Sequence, residues 1–74
     1  MIVFYVVQVR ENEPMLYACL YDTEAVQGIL PAWTDDIEGA LEYDDEQSAQ
    51  VEAMERWVNG FYKVGSHVEV RVKV

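Results

Sequence analysis

Apolar positions recur along this chain with two different periods, and the places where one period gives way to the other mark its elements. Ile2–Arg10 is dense in β-branched and aromatic residues, a composition suited to a strand. Its alternate positions form two faces: Ile2, Phe4, Val6, Gln8 and Val3, Tyr5, Val7, Val9. Both faces are largely apolar, which predicts a central strand covered on both sides. Glu11-Asn12-Glu13-Pro14 reads as a turn, since Asn tolerates left-handed backbone and Pro cannot extend a ladder. Met15–Tyr21 returns as the second strand of a hairpin, with Leu16, Ala18, Leu20 on one face and Met15, Tyr17, Cys19, Tyr21 on the other.

Beyond Tyr21 the period lengthens. Asp22 or Thr23 can cap a short helix carrying Ala25, Val26, Ile29 and Leu30, with Gly28 weakening it and Pro31 ending it. Thr34 reads as a second N-cap, with Asp35, Asp36 and Glu38 in the first turn behind it and Ile37, Ala40, Leu41 as its buried stripe. The strongest helical pattern runs from Asp45 to Asn59. Val51, Met54, Val58 and Phe61 recur at helical spacing, with Trp57 beside them, and predict the buried stripe. Gln47, Gln50, Glu52, Glu55, Arg56 and Asn59 are expected to face water, and Asn59-Gly60 to stop the helix. His67–Val74 then alternates without error, Val68, Val70, Val72, Val74 against His67, Glu69, Arg71, Lys73, as a half-buried strand at or near a sheet edge.

Together these predict one compact α+β domain over residues 1–74. Its expected order is ββααβ: a small three-stranded antiparallel sheet with helix 45–59 packed on one face. The second sheet face then needs a cover, either the 22–43 segment or a second copy of the chain. At 74 residues the core is small, with a few kcal/mol of stability at most. One cysteine, Cys19, excludes an internal disulfide framework, so a partner subunit is the remaining aid. The longest apolar run, Ile2–Val7, is far too short to cross a membrane and lacks the flanks of a signal peptide, which suggests a cytoplasmic protein.

Charge changes the picture most. The formal net charge is −9. From Glu11 to Glu55, 45 positions hold 13 carboxylates and no Lys or Arg, and seven of these acids lie between Asp35 and Glu46. The five basic residues, Arg10, Arg56, Lys63, Arg71 and Lys73, all stand outside that span. Such a surface repels nucleic acid and anionic membrane and attracts basic protein.

The chain offers little to catalysis. Its one histidine, His67, sits on the polar side of the terminal strand and Cys19 lies in an apolar strand, so no nucleophile–base pair is assembled. Clustered, solvated acids make poor acid–base pairs, because raising a carboxyl pKa requires burial. No phosphate-binding Gly loop occurs. We therefore expect no enzyme, no cofactor and no metal site. Read as an EF-hand from Thr34, the loop has Asp36, Glu38, Gly39, Glu42 and Asp45 at positions 3, 5, 6, 9 and 12. Thr replaces the first Asp, however, and Asp replaces the bidentate Glu.

The candidate partner-binding residues are Asp35, Asp36, Glu38, Glu42, Asp44, Asp45, Glu46, Glu52 and Glu55, with Trp33 or Tyr43 as aromatic anchor. Trp57 and Phe61 are assigned to the core. In size, charge and lack of catalytic groups the chain resembles the small acidic inhibitors of phages and mobile elements. Those dock on basic nucleic-acid-binding surfaces of CRISPR effectors, restriction enzymes or polymerase. The resemblance is one of physical type and carries no residues with it. It implies occlusion by electrostatic mimicry of a phosphate row, which in duplex DNA has one charge per about 1.7 Å. The alternatives are a dimeric structural or adaptor subunit whose acidity serves solubility, and a calcium-binding module over 34–45.

Overall fold

The computed structural model describes residues 2–23 and 28–73. Four antiparallel strands and one α-helix follow in the order β1 (Val3–Val9), β2 (Leu16–Thr23), β3 (Gly28–Thr34), α1 (Glu46–Val58) and β4 (His67–Lys73). A single 3-10 turn at Ile37–Gly39 lies between β3 and α1. The class is α+β, as the patterns predict, but the sheet has four strands in the order β3-β2-β1-β4. Strand β1 is interior, and β4 pairs along its whole length, from Val3 opposite Lys73 to Val9 opposite His67. The hairpin turn holds Asn12 at φ 60, and the Arg10 guanidinium donates to the Pro14 carbonyl at 2.7 Å.

The expected helix near Ala25, Val26, Ile29 and Leu30 is corrected. Gly28–Thr34 is a strand paired with β2, from Tyr17 opposite Thr34 to Thr23 opposite Gly28, while Ala25 and Val26 lie outside the described residues. Gly and Pro31 imitate helix-stop signals in sequence. Pro31 is tolerated because β3 is an edge strand, where a missing N–H need not break a ladder. The expected helix after Thr34 shrinks to the 3-10 turn. Its cap is Asp36, whose carboxylate accepts from the Glu38 N–H at 3.0 Å. Thr34 instead accepts from the Asp36 N–H at 3.1 Å through its hydroxyl. Short polar side chains that bond nearby main chain compete with helix in this way.

Helix α1 has the predicted bounds. Asp45 caps it by accepting from the Ser48 N–H at 2.7 Å, and Asn59 with Gly60 at φ 73 ends it. Its rotation about its own axis is not the predicted one. Ala49, Ala53 and Arg56 face the sheet, and Ala49 and Arg56 are buried. Val51, Met54, Trp57 and Val58 point outward, at 54%, 61%, 46% and 71% exposure, and Phe61 beyond the helix is exposed as well. The physical reason is reach. Alanines let the helix approach the sheet closely, and the long Arg56 side chain spans to main-chain acceptors on β2 and β3.

The core lies between α1 and one sheet face. Val6, Ala18 and Ala49 are fully buried, with Phe4, Trp33, Tyr43, Ala53, Val68 and Val70 packed around them. On the same face Gln8 is buried and accepts from the Lys63 N–H at 2.5 Å and the Ser66 hydroxyl at 2.9 Å, tying down the loop after α1. On the other face Tyr5 and Tyr17 pack with ring centroids 5.3 Å apart, and Val7 is buried there. Among the described residues no α-helix covers that second face.

Strands β1 and β2 pair directly at two positions, Val7 opposite Tyr17 and Gln8 opposite Leu16, and then part. The chain between the 3-10 turn and α1 fills the opening. The Leu41 N–H donates to the Ala18 carbonyl at 2.9 Å. Tyr43 and Phe4 exchange both main-chain bonds, at 2.8 and 2.9 Å. The acidic segment is thereby stitched into the sheet at two points.

Candidate functional site

Four of the five cations are neutralised on the surface. Lys63 meets Glu13 at 2.9 Å, Arg10 meets the same carboxylate at 3.5 Å, Arg71 meets Glu69 at 2.7 Å and Lys73 meets Glu42 at 3.1 Å. These partners hold the Glu13 and Glu69 carboxyls below their usual range and Lys73 above its own, the side-chain bond being the largest cause in each case. Exposed pairs of this kind add little stability, but they cancel charge locally.

The fifth cation, Arg56, is 1% exposed. It bonds Glu52 at 2.7 Å, the Ala32 carbonyl at 2.6 Å and the Cys19 carbonyl at 3.0 Å, and its guanidinium lies 4.9 Å from the Trp33 ring centroid. Arg56 and Glu52 are therefore structural, not the water-facing pair the pattern suggests, and the Glu52 side chain keeps 25% exposure.

Among the described residues, Asp35, Asp36, Glu38, Asp44, Asp45, Glu46 and Glu55 have no cationic partner, and all seven are exposed. Asp36 and Asp45 are engaged as caps, and Glu46 accepts from the Gln50 amide at 3.0 Å. Among the described residues no α-helix carries the 35–44 acids as a regular row, and they follow an irregular loop around the 3-10 turn instead. No three His, Cys, Asp or Glu side chains among the described residues are grouped to hold a metal ion.

The two expected aromatic anchors are committed inward. The Trp33 indole N–H donates to the Phe61 carbonyl at 2.8 Å, and both Trp33 and Tyr43 pack on the core. Burial, then the nearby Glu52 charge, pushes the Tyr43 phenol above its usual pKa of 10.0. Among the aromatics that do face outward is Trp57, stacked on Tyr62 at 4.4 Å with planes 9° apart.

Trp57 belongs to an open groove of about 560 Å³ between α1 and β4, a feature that the sequence reading missed. Its floor is Phe4, Val68, Val70 and Val72. Its helical wall is Glu46, Gln50, Ala53, Met54 and Trp57. One signal could have exposed it: Ala49, Ala53 and Arg56 mark a tight helix–sheet seam at i, i+4, i+7. A helix seated on that seam cannot also bury the neighbouring Met54–Val58 stripe.

Compared with family models, curated proteins and solved structures, the chain gives no match. No helix among the described residues is long and apolar enough to cross a membrane.

Proposed function

We propose that this protein is a small acidic binding protein that occupies a basic, nucleic-acid-binding surface of another protein, its carboxylates taking the place of phosphates. One observation carries the reading. Every Lys and Arg is already paired with a carboxylate, while seven acids between Asp35 and Glu55 have no cation. The field over that loop is of single sign and reaches about 8 Å through physiological salt. A partner offering Lys and Arg gains both steering and charge-assisted bonds there. Inhibitors of CRISPR effectors or restriction enzymes are the functional type this suits.

The test uses a variant that spares the caps: Asp35→Asn, Glu38→Gln, Asp44→Asn, Glu46→Gln and Glu55→Gln together. Wild-type protein immobilised and exposed to a bacterial lysate should retain a nucleic-acid-binding protein that elutes at raised salt and is displaced by duplex DNA. The neutralised variant should retain none of it while staying folded, with a melting temperature no lower than that of the wild type. Retention that ignores both DNA and the five substitutions refutes the proposal.

A second reading, a dimeric adaptor, is favoured by the sheet face that no α-helix among the described residues covers. Tyr5→Glu should then halve the mass seen by light scattering, whereas a wild-type monomer removes that reading.

A further inference from the structure

We infer that this protein pairs with a second copy of itself through the outer edge of β4, two-fold and antiparallel about Val70, so that the two sheets join into one. The interface is separate from the acidic loop and does not depend on it.

The two ends of the sheet are built differently. β3 carries Pro31, which has no N–H to offer a further strand. β4, the other end strand, is seven residues long and holds no Pro. The ladder decides which of its main-chain groups are open. Phe4 exchanges both of its main-chain bonds with Tyr43, so neither group points at β4. Val72 stands directly opposite Phe4. Opposed residues of an antiparallel pair exchange both bonds or neither, so Val72 turns its N–H and C=O away from β1. By the same alternation Val70 and Val68 do so too. Among the described residues no main-chain bond reaches that side of β4.

The alternation also fixes the register. Two such edges bond only with valine opposite valine. Centred on Val70, the pairs Val68–Val72, Val70–Val70 and Val72–Val68 can each exchange two bonds. On the other sheet face, Glu69 of each copy then stands opposite Arg71 of the other, at the positions where cross-strand side chains come closest. Within one chain these two side chains already meet at 2.7 Å and keep 36% and 44% exposure, so the four charges close into one network. Moving the centre by one residue sets Glu69 against Glu69 or Arg71 against Arg71. Charges on an edge ordinarily deter pairing, but this row is complementary to itself. The outermost polar pair is His67, neutral at pH 7, opposite Lys73.

On the helix face the valine rows of the two copies join below the exposed Met54 and Trp57. The same axis separates the net charge of −9 on each copy. Tyr43 lies at the Val72 end of β4, through Phe4, and Lys63 at the Val68 end, through Gln8. The two acidic loops therefore fall at opposite ends of the joined sheet. With strands about 4.8 Å apart and about 3.4 Å per residue, the two Tyr43 sites are roughly 27 Å apart. Screening in physiological salt acts within about 8 Å.

Sedimentation equilibrium of the full-length protein from micromolar to millimolar should show the mass doubling. Amide exchange at Val68, Val70 and Val72 should be slow in the dimer and quicken on dilution, while Glu69 and Arg71, bonded to β1, stay protected. Val72→Pro removes an open donor and no β1–β4 bond, so it should stay folded, with an unchanged β1 amide pattern, as a monomer. Glu69→Arg and Arg71→Glu each set like charges opposite one another and should weaken self-association at least tenfold. Mixed in equal amounts, those two variants should pair with each other, which misfolded chains would not do.

A monomer over the whole range overturns the proposal, as does a mixture that associates no more tightly than either variant alone. A dimer that survives Val72→Pro but is lost with Tyr5→Glu belongs to the open sheet face and overturns it too. Val72→Pro leaves every acid from Asp35 to Glu46 in place, so loss of the dimer and loss of lysate capture are read separately.

Discussion

Replacing Arg56 by Ala should be the most damaging single change available in this chain. The guanidinium closes two main-chain carbonyls, pairs with Glu52 and lies over Trp33, all from a site 1% exposed. Breaking a buried pair by deleting one member costs about 3–5 kcal/mol. Glu52 retains 25% exposure and can recover part of its hydration, so the lower end applies, about 3 kcal/mol. A domain of this length has roughly 3–5 kcal/mol in total. With a urea slope of about 1 kcal/mol per molar, the midpoint should fall by about 3 M and leave a substantial unfolded population in buffer. Arg56→Lys keeps the charge beside Glu52 but loses the forked reach to both carbonyls and the planar contact with Trp33. It should cost about half as much. Urea unfolding followed by far-UV circular dichroism measures both. A loss under about 1 kcal/mol for Arg56→Ala would show that the carbonyls and Glu52 find water readily, and would refute the assignment of Arg56 as the link between α1 and the β2–β3 pair.

Gln8→Leu removes the acceptor for the Lys63 N–H and the Ser66 hydroxyl. It should cost about 1–3 kcal/mol, with amide exchange at Lys63 quickening well before that of β1. Tyr43 has a raised folded pKa, so its contribution is fully present below the unfolded value of 10.0 and is lost as pH rises above it. Alkaline melts should therefore show a loss of stability beginning near pH 10 that Tyr43→Phe lessens. Added salt should raise the melting temperature, because screening relieves repulsion among the seven unpaired acids more than it weakens the exposed ion pairs. A melting temperature that falls between low and physiological salt would contradict this.

The legible parts of the fold were those fixed by local chemistry. β1 and β4 announce themselves by β-branched density and strict alternation, and Asp45 and Asn59-Gly60 bound α1 as capping rules require. β3 was hidden because Gly28 and Pro31 carry the same punctuation in an edge strand as at a helix end, and only pairing with β2 separates the two. The rotation of α1 was hidden for a different reason. The Val51–Met54–Val58 stripe is truly amphipathic, but periodicity reports that a face is apolar and is silent on what it faces. Of the candidate site, the exposure of the 35–46 acids was readable from charge segregation. That Trp33 and Tyr43 turn inward while Trp57 turns outward depends on Arg56, whose partners are 24 and 37 positions away.

The splayed strands give the acidic loop a second duty. β1 and β2 meet at two residue pairs only, and beyond them Leu41 and Tyr43 act as a clasp between the β2–β3 ribbon and the β1–β4 ribbon. A partner that gripped the charged loop from outside would therefore also hold that clasp shut. The proposed binding at Asp35–Glu46 would then be coupled by linkage to the integrity of the sheet, and the main-chain hydrogens of Phe4, Leu41 and Tyr43, which no ligand need touch, would be its reporters.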